Sequence, residues 1–209
     1  KNIEQHYSLD ERPFLEKVRG FCQLVDDRYS PYLTDFLNPR EIQIVEELAH
    51  YYNLKFFVSS TLESEEYGRV ILAPEYYELD DDDFEIKRLE ISYARQFNKL
   101  THPKVLGALI NQLGLDRQVF GDIILDEEGR VQFSIASHLA SYAIMTITKI
   151  GNVSVTLKEV SKDDWISNQE KYSKTFVLLS SMRLDNVLAT VLNLSRSNAL
   201  KLIASGKVK

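Results

Sequence analysis

Residues 120–135 read FGDIILDEEGRVQFSI. A β-rich run, a turn of three acids and a glycine, and an alternating segment with Val131, Phe133 and Ile135 in phase predict an antiparallel hairpin. Working outward, residues 103–113 place Val105, Leu106, Leu109, Ile110 and Leu113 at helical spacing. Residues 88–95 alternate, with Leu89, Ile91 and Tyr93 on one face. On the other side, 137–148 carries Leu139, Ala140, Ala143, Ile144 and Ile147 along a helix, and 153–160 alternates again. The order is β-α-β-β-α-β, the ferredoxin-like or split βαβ unit, which the RRM module shares. We place it over residues 84–165.

Upstream, residues 9–27 predict a helix with Ser8 as cap and Phe14, Val18, Phe21 and Val25 as its buried stripe. Residues 30–40, with two prolines, read as a linker. Residues 41–52 predict a second helix with Ile42, Val45, Leu48, Ala49 and Tyr52 inward. Residues 54–59 and 69–73 are β-rich. Together they predict a small N-terminal α+β domain over residues 1–80. The acidic run 78–83 is too charged for a core and marks a boundary. It lacks the staggered ligands and glycine turn of a cation loop. The fold class is therefore α+β.

Residues 183–209, RLDNVLATVLNLSRSNALKLIASGKVK, carry a net charge opposite to that of residues 1–182 taken together. They hold Arg183, Arg196, Lys201, Lys207 and Lys209 against the single acid Asp185, in a chain of net charge −6. Leu184, Val187, Leu188, Val191 and Leu192 fit one helix face; Ala199, Leu200, Leu202 and Ile203 fit another. Ser195 caps the second helix and Gly206 stops it. A compact basic helix pair on an acidic protein is an electrostatic footprint for phosphates. Arg183, Ser195, Arg196, Lys201, Lys207 and Lys209 are the expected phosphate contacts, with Ser195 and the first-turn amides forming an anion site.

This segment resembles the alpha-L RNA-binding motif, named after ribosomal small-subunit protein four. Arg183-Leu184-Asp185, Ser195-Arg196-Ser197, Ala199, Leu202-Ile203, Gly206 and Val208 carry the resemblance in register. The family pattern continues into a strand and a turn, so the motif, placed over 175–209, is expected to be incomplete. Residues 33–41 (LTDFLNPRE), 101–125 (THPKVLGALINQLGLDRQVFGDIIL) and 195–208 (SRSNALKLIASGKV) also resemble the YlmH family. That resemblance implies a bacterial, cytoplasmic, ribosome-associated RNA-binding factor. It implies ribosomal RNA, tRNA and the large ribosomal subunit as partners, in quality control of stalled nascent chains, and a link to cell division.

The middle domain lacks an RRM stacking platform. With Val131, Phe133 and Ile135 turned to the helices, the opposite face shows Arg130, Gln132 and Ser134 and no aromatic. Arg88, Arg95, Lys99, Lys104, Arg117 and Arg130 remain as candidate contacts to phosphates or to a protein surface.

Other classes find little support. No apolar run approaches the roughly 20 residues of a membrane span, and the polar N-terminus is not that of a signal peptide. The single Cys22 fits a reducing compartment and reads as packing. His6, His50, His102 and His138 show no metal-ligand spacing, and no cofactor is expected. No G-x-S-x-G, P-loop or G-x-G-x-x-G string is present, and no small-molecule substrate is expected. Asp185 stands in an Arg-Leu-Asp string like that of pseudouridine synthases, but reads as a first-turn acid complementing the helix dipole. Gly121-Asp122 reads as a bend with Asp122 bonding local backbone. The leading expectation is a non-enzymatic RNA-binding factor. A protein–protein adaptor linked to cell division and an RNA-modifying enzyme, either pseudouridine synthase or methyltransferase, are the competing readings.

Overall fold

The computed structural model describes residues 7–59, 65–167, 176–206 and 208. The chain divides into two compact units, Lys1–Gln169 and Glu170–Lys209. The first unit is built on two antiparallel sheets.

The N-terminal sheet comprises β1 (Tyr32–Leu37), β2 (Lys55–Val58) and β3 (Gly68–Ala73), ordered β1-β3-β2. Helices α1 (Arg12–Arg28) and α2 (Pro39–Tyr51) cover one face. Their buried stripes are Leu15, Val18, Cys22 and Val25, and Ile44, Val45, Leu48 and Ala49. The expected Phe14 and Phe21 flank the first stripe instead, packed against the core and partly exposed. Asn38 and Glu41 form a reciprocal capping box at α2: each side chain accepts from the other's backbone N–H at 2.9 Å. Pro39 occupies the first turn, where its missing N–H costs nothing.

Strand β1 corrects the expectation of a linker over 30–40. The two prolines stand just outside the strand, so neither interrupts its hydrogen bonding. The polar pair Thr34-Asp35 breaks the apolar alternation, and the register shifts between Leu33 and Phe36. Thr34 is nonetheless buried, its Oγ1 accepting from Val70 N at 2.9 Å.

The second sheet contains β4 (Ile86–Ser92), β5 (Phe120–Leu125), β6 (Val131–Ala136) and β9 (Thr156–Glu159), ordered β5-β6-β4-β9. This is the strand order of a βαββαβ sheet, with α3 (His102–Leu113) and α4 (Ala140–Thr146) on one face. Leu89, Ile91, Val131, Phe133 and Ile135 meet Val105, Leu109, Leu113, Ala140 and Ala143 in one core. The hairpin turn closes with Gly129 N donating to Asp126 O at 3.1 Å, and Gly129 takes a φ of 79°.

Two predicted elements end differently. The helix expected over 137–148 begins as a 3₁₀ turn, Ser137–Leu139, and ends at Thr146. The strand expected over 153–160 breaks at Val155, which is buried in the core. Its first part, β8 (Val153–Ser154), pairs with β7 (Lys149–Ile150) around Gly151, and only β9 joins the main sheet.

The two sheets of this unit interlock. Asp122 Oδ2 accepts from Glu66 N at 2.8 Å and Tyr67 N at 3.1 Å, which corrects the expectation of a local bond. Arg69 is buried and donates to Thr34 O, Phe84 O and Glu85 O. Gly121 admits Phe36 so closely that a Cβ there would lie 2.8 Å from the ring.

Candidate nucleic-acid interface

In the second unit, α5 (Leu184–Val191) and α6 (Arg196–Ala204) form a helix pair. Asn193 turns the chain between them in the left-handed conformation, φ 50°, which asparagine tolerates better than most residues. Leu194 N donates back to Ala189 O at 2.9 Å. Ser195 then caps α6, its Oγ accepting from Asn198 N at 3.3 Å. Gly206, φ 66°, follows the end of α6 and donates to Ile203 O.

The side-chain arrangement centres on Asp185. Arg183 Nε donates to its Oδ1 at 3.1 Å, and Arg196 Nε to its Oδ2 at 2.5 Å. The aspartate side chain is only 5% exposed, against 67% for Arg183 and 58% for Arg196. Hydrogen bonds from Arg196 and then Arg183 hold its carboxyl down at about 2. A guanidinium has five N–H donors. Each arginine thus spends an inward edge on Asp185 and keeps much of its fork at the surface.

The predicted contacts therefore separate. Arg183 and Arg196 are brought together through Asp185 beside the Ser195 cap, and Ser195, Ser197 and Lys201 are exposed. Lys207 and Lys209 lie outside the described residues. Asp185 is in the first turn of α5, as expected, but its two-arginine role was not anticipated. Nothing in the spacing of residues 185 and 196 shows that α6 folds back onto the start of α5. The apolar faces are also less buried than predicted: Leu184, Val191, Leu192 and Leu200 are each about half exposed, while Ala199 is fully buried.

The polar face of the middle sheet, expected to be open, is covered. Arg88 is 1% exposed; it stacks over Trp165 at 4.1 Å and pairs with Glu65. Gln132 Nε2 donates to Asp164 O and Glu90 Oε2, and its Oε1 accepts from Ile166 N. Arg130 pairs with Glu90 at 2.6 Å, and Arg117 stacks over Tyr67. Of the six candidate cations in this domain, Arg88 is thus buried and Arg117 and Arg130 are engaged. Lys99 and Lys104 are exposed and make no ion pair among the described residues; Arg95, also exposed, donates to Glu128 O.

A family model described as "Putative RNA-binding domain in YlmH" matches residues 80–164. "Ribosome-associated protein quality control protein P2" of Bacillus subtilis (strain 168) is 32% identical over 208 residues, covering all of this chain and 80% of that protein. The chain belongs to the YlmH family. A solved structure, "Cell division protein ylmH from Streptococcus pneumoniae", superposes with a TM-score of 0.69 at 40% identity, covering 79% of this chain and all of that one. The YlmH-matching segment starts at Asp80, which caps the turn before β4, and ends at Asp164, whose carbonyl accepts from Gln132. It is therefore the βαββαβ domain together with the start of the strap across its sheet.

Two further groups in this YlmH chain, Cys22 and Asp122, are built into the packing. Cys22 is fully buried, and burial pushes its thiol up to about 11. Asp122 is raised by burial and clamps two backbone amides. Among the described residues there is no group of three potential metal ligands, and no helix is long and apolar enough to cross a membrane.

Proposed function

We propose that this chain is an RNA-binding factor of the translation machinery that acts by binding rather than by catalysis. On this reading it works in the cytoplasm, engages ribosomal RNA of the large subunit and tRNA, and serves quality control of stalled nascent chains. The observation that carries it is the Arg183–Asp185–Arg196 cluster at the start of α6. There, two guanidiniums fixed by one carboxylate stand beside a serine-capped helix start. Charge-assisted bonds from such forks suit phosphate oxygens. Support comes from the relative named for ribosome-associated quality control, which matches the whole chain.

The same cluster weighs against the pseudouridine synthase reading. Asp185 is buried, and both its oxygens accept from arginines, which is the partnering of a structural acid rather than of a nucleophile. The adaptor reading draws on the name of the solved pneumococcal relative, a cell division protein. Sedimenting a cell lysate through a sucrose gradient separates the two. The RNA-binding reading expects the protein with large-subunit fractions at low salt. Protein confined to the top of the gradient would sink it.

A further inference from the structure

The middle domain belongs to a family model described as RNA-binding, yet its sheet face is sealed by the chain itself. The other side of the domain has an opposite character. Residues 94–115 and 136–157, which include α3, α4 and the β7–β8 hairpin, contain none of the chain's 31 acidic residues. The cations on the sheet's polar side are matched to carboxylates, Arg88 to Glu65 and Arg130 to Glu90. Lys99, Lys104 and Lys149 have no such partner among the described residues, and all three are exposed.

Between α3 and the hairpin runs a groove of about 520 Å³, lined by Lys104, Gly107, Asn111, Gln112, Gly151 and Asn152 among others. Gln112 Nε2 holds the hairpin to the helix by donating to Lys149 O at 2.6 Å. Gly107 lies in the interior of α3, where glycine costs about 1 kcal/mol relative to alanine. A Cβ added there would meet nothing within 4 Å, so the core does not require glycine. Its absent side chain widens the groove floor.

We propose that this helical face, with Lys104 lining the groove and exposed Lys149 on the adjoining hairpin, is a second RNA-docking surface that takes a phosphate backbone. It rests on the RNA-binding reading above and gives the middle domain a role that its covered sheet denies it. Charge complementarity favours nucleic acid over an acidic peptide less by sign than by layout. Lys104 lines a groove whose other polar side chains, Asn111, Gln112 and Asn152, are neutral amides, and these suit sugar and phosphate oxygens without demanding a sequence.

The test uses the full chain and purified bacterial large-subunit ribosomal RNA in a filter-binding titration over a range of salt. Lys104→Glu with Lys149→Glu should weaken binding tenfold or more and make the slope of log affinity against log salt shallower by about 2. Lys17→Glu with Lys162→Glu, an equal change of net charge at exposed sites elsewhere, is the reference. Gly107→Leu, which fills the groove without touching charge, should weaken binding severalfold with a melting temperature that is unchanged or raised. If the Lys104/Lys149 variant binds like the reference pair, the proposal falls while the RNA-binding reading stands. If the unaltered chain binds no RNA, both fall.

Discussion

Gly121→Ala tests how the two sheets of the first unit are joined. An added Cβ would stand 2.8 Å from Phe36 Cε1 and 2.9 Å from Ser134 Cβ. Ordinary carbon contacts lie at about 3.5–4.0 Å, so the overlap is roughly 0.6–1.2 Å. Neither neighbour is the loose end of a flexible chain. Ser134 Cβ is fixed to β6, paired on both sides, and Phe36 is 3% exposed in β1. Overpacking of this kind costs about 1–3 kcal/mol. Gly121 does not have a positive φ, so the backbone alone would favour alanine by about 0.4–1 kcal/mol through the unfolded state. The two effects oppose each other and the steric one is larger, leaving a net loss of about 1–2 kcal/mol. For a unit of this size that lowers the melting temperature by roughly 2–8 °C. Thermal and urea unfolding, followed by the fluorescence of the single tryptophan, Trp165, would measure it. An unchanged or raised melting temperature would refute the close approach of Phe36 to β5.

Gln132→Ala should strip the strap of two of its anchors, leaving Ile166 N and Asp164 O unpaired while Arg88 still stacks on Trp165. We expect destabilisation of about 1–3 kcal/mol and a red shift of Trp165 emission; unchanged emission would show that the strap is held otherwise. The Asp185 carboxyl sits at about 2 in the folded chain, below its ordinary 3.8. Its contribution is therefore complete above about pH 4 and is lost as pH falls through about 2. Backbone amide shifts of α6 followed from pH 6 to 2 should show this acid limb, and Asp185→Asn should abolish it; an identical limb in the variant would assign it to another group. Arg196→Ala should cut RNA affinity by about 1–3 kcal/mol. Because Arg196 also satisfies Asp185, it should lower the melting temperature of the helix pair as well, which an isolated surface arginine would not do.

The middle domain was legible because its signals are local. Alternation in 88–92 and 131–135, an Asp-Glu-Glu-Gly turn and apolar residues at helical spacing each act within a few residues. Strand β1 was hidden because Thr34-Asp35 interrupts its pattern. The value of Thr34 lies in a bond to Val70, 36 residues away. The covered sheet face was equally hidden. Arg88 and Gln132 look like solvent residues on an alternating strand, and their partners at Glu65 and at 164–166 are far along the chain. At the candidate interface, the sequence marked the charged residues and the Ser195 cap. It could not show Asp185 as the shared acceptor, because that depends on how α6 packs on the start of α5. Leu200 stands on an apolar helix face by spacing, yet it is about half exposed.

The central claim is that this protein binds RNA through its phosphates. Its most direct test is the affinity of the purified chain for large-subunit ribosomal RNA as a function of salt. If the helix pair neutralises about four phosphates, it contributes about −3 to −4 to the slope of log affinity against log salt, and the α3 face adds about −2. A flat response, or no binding at 50 mM salt, would contradict the account.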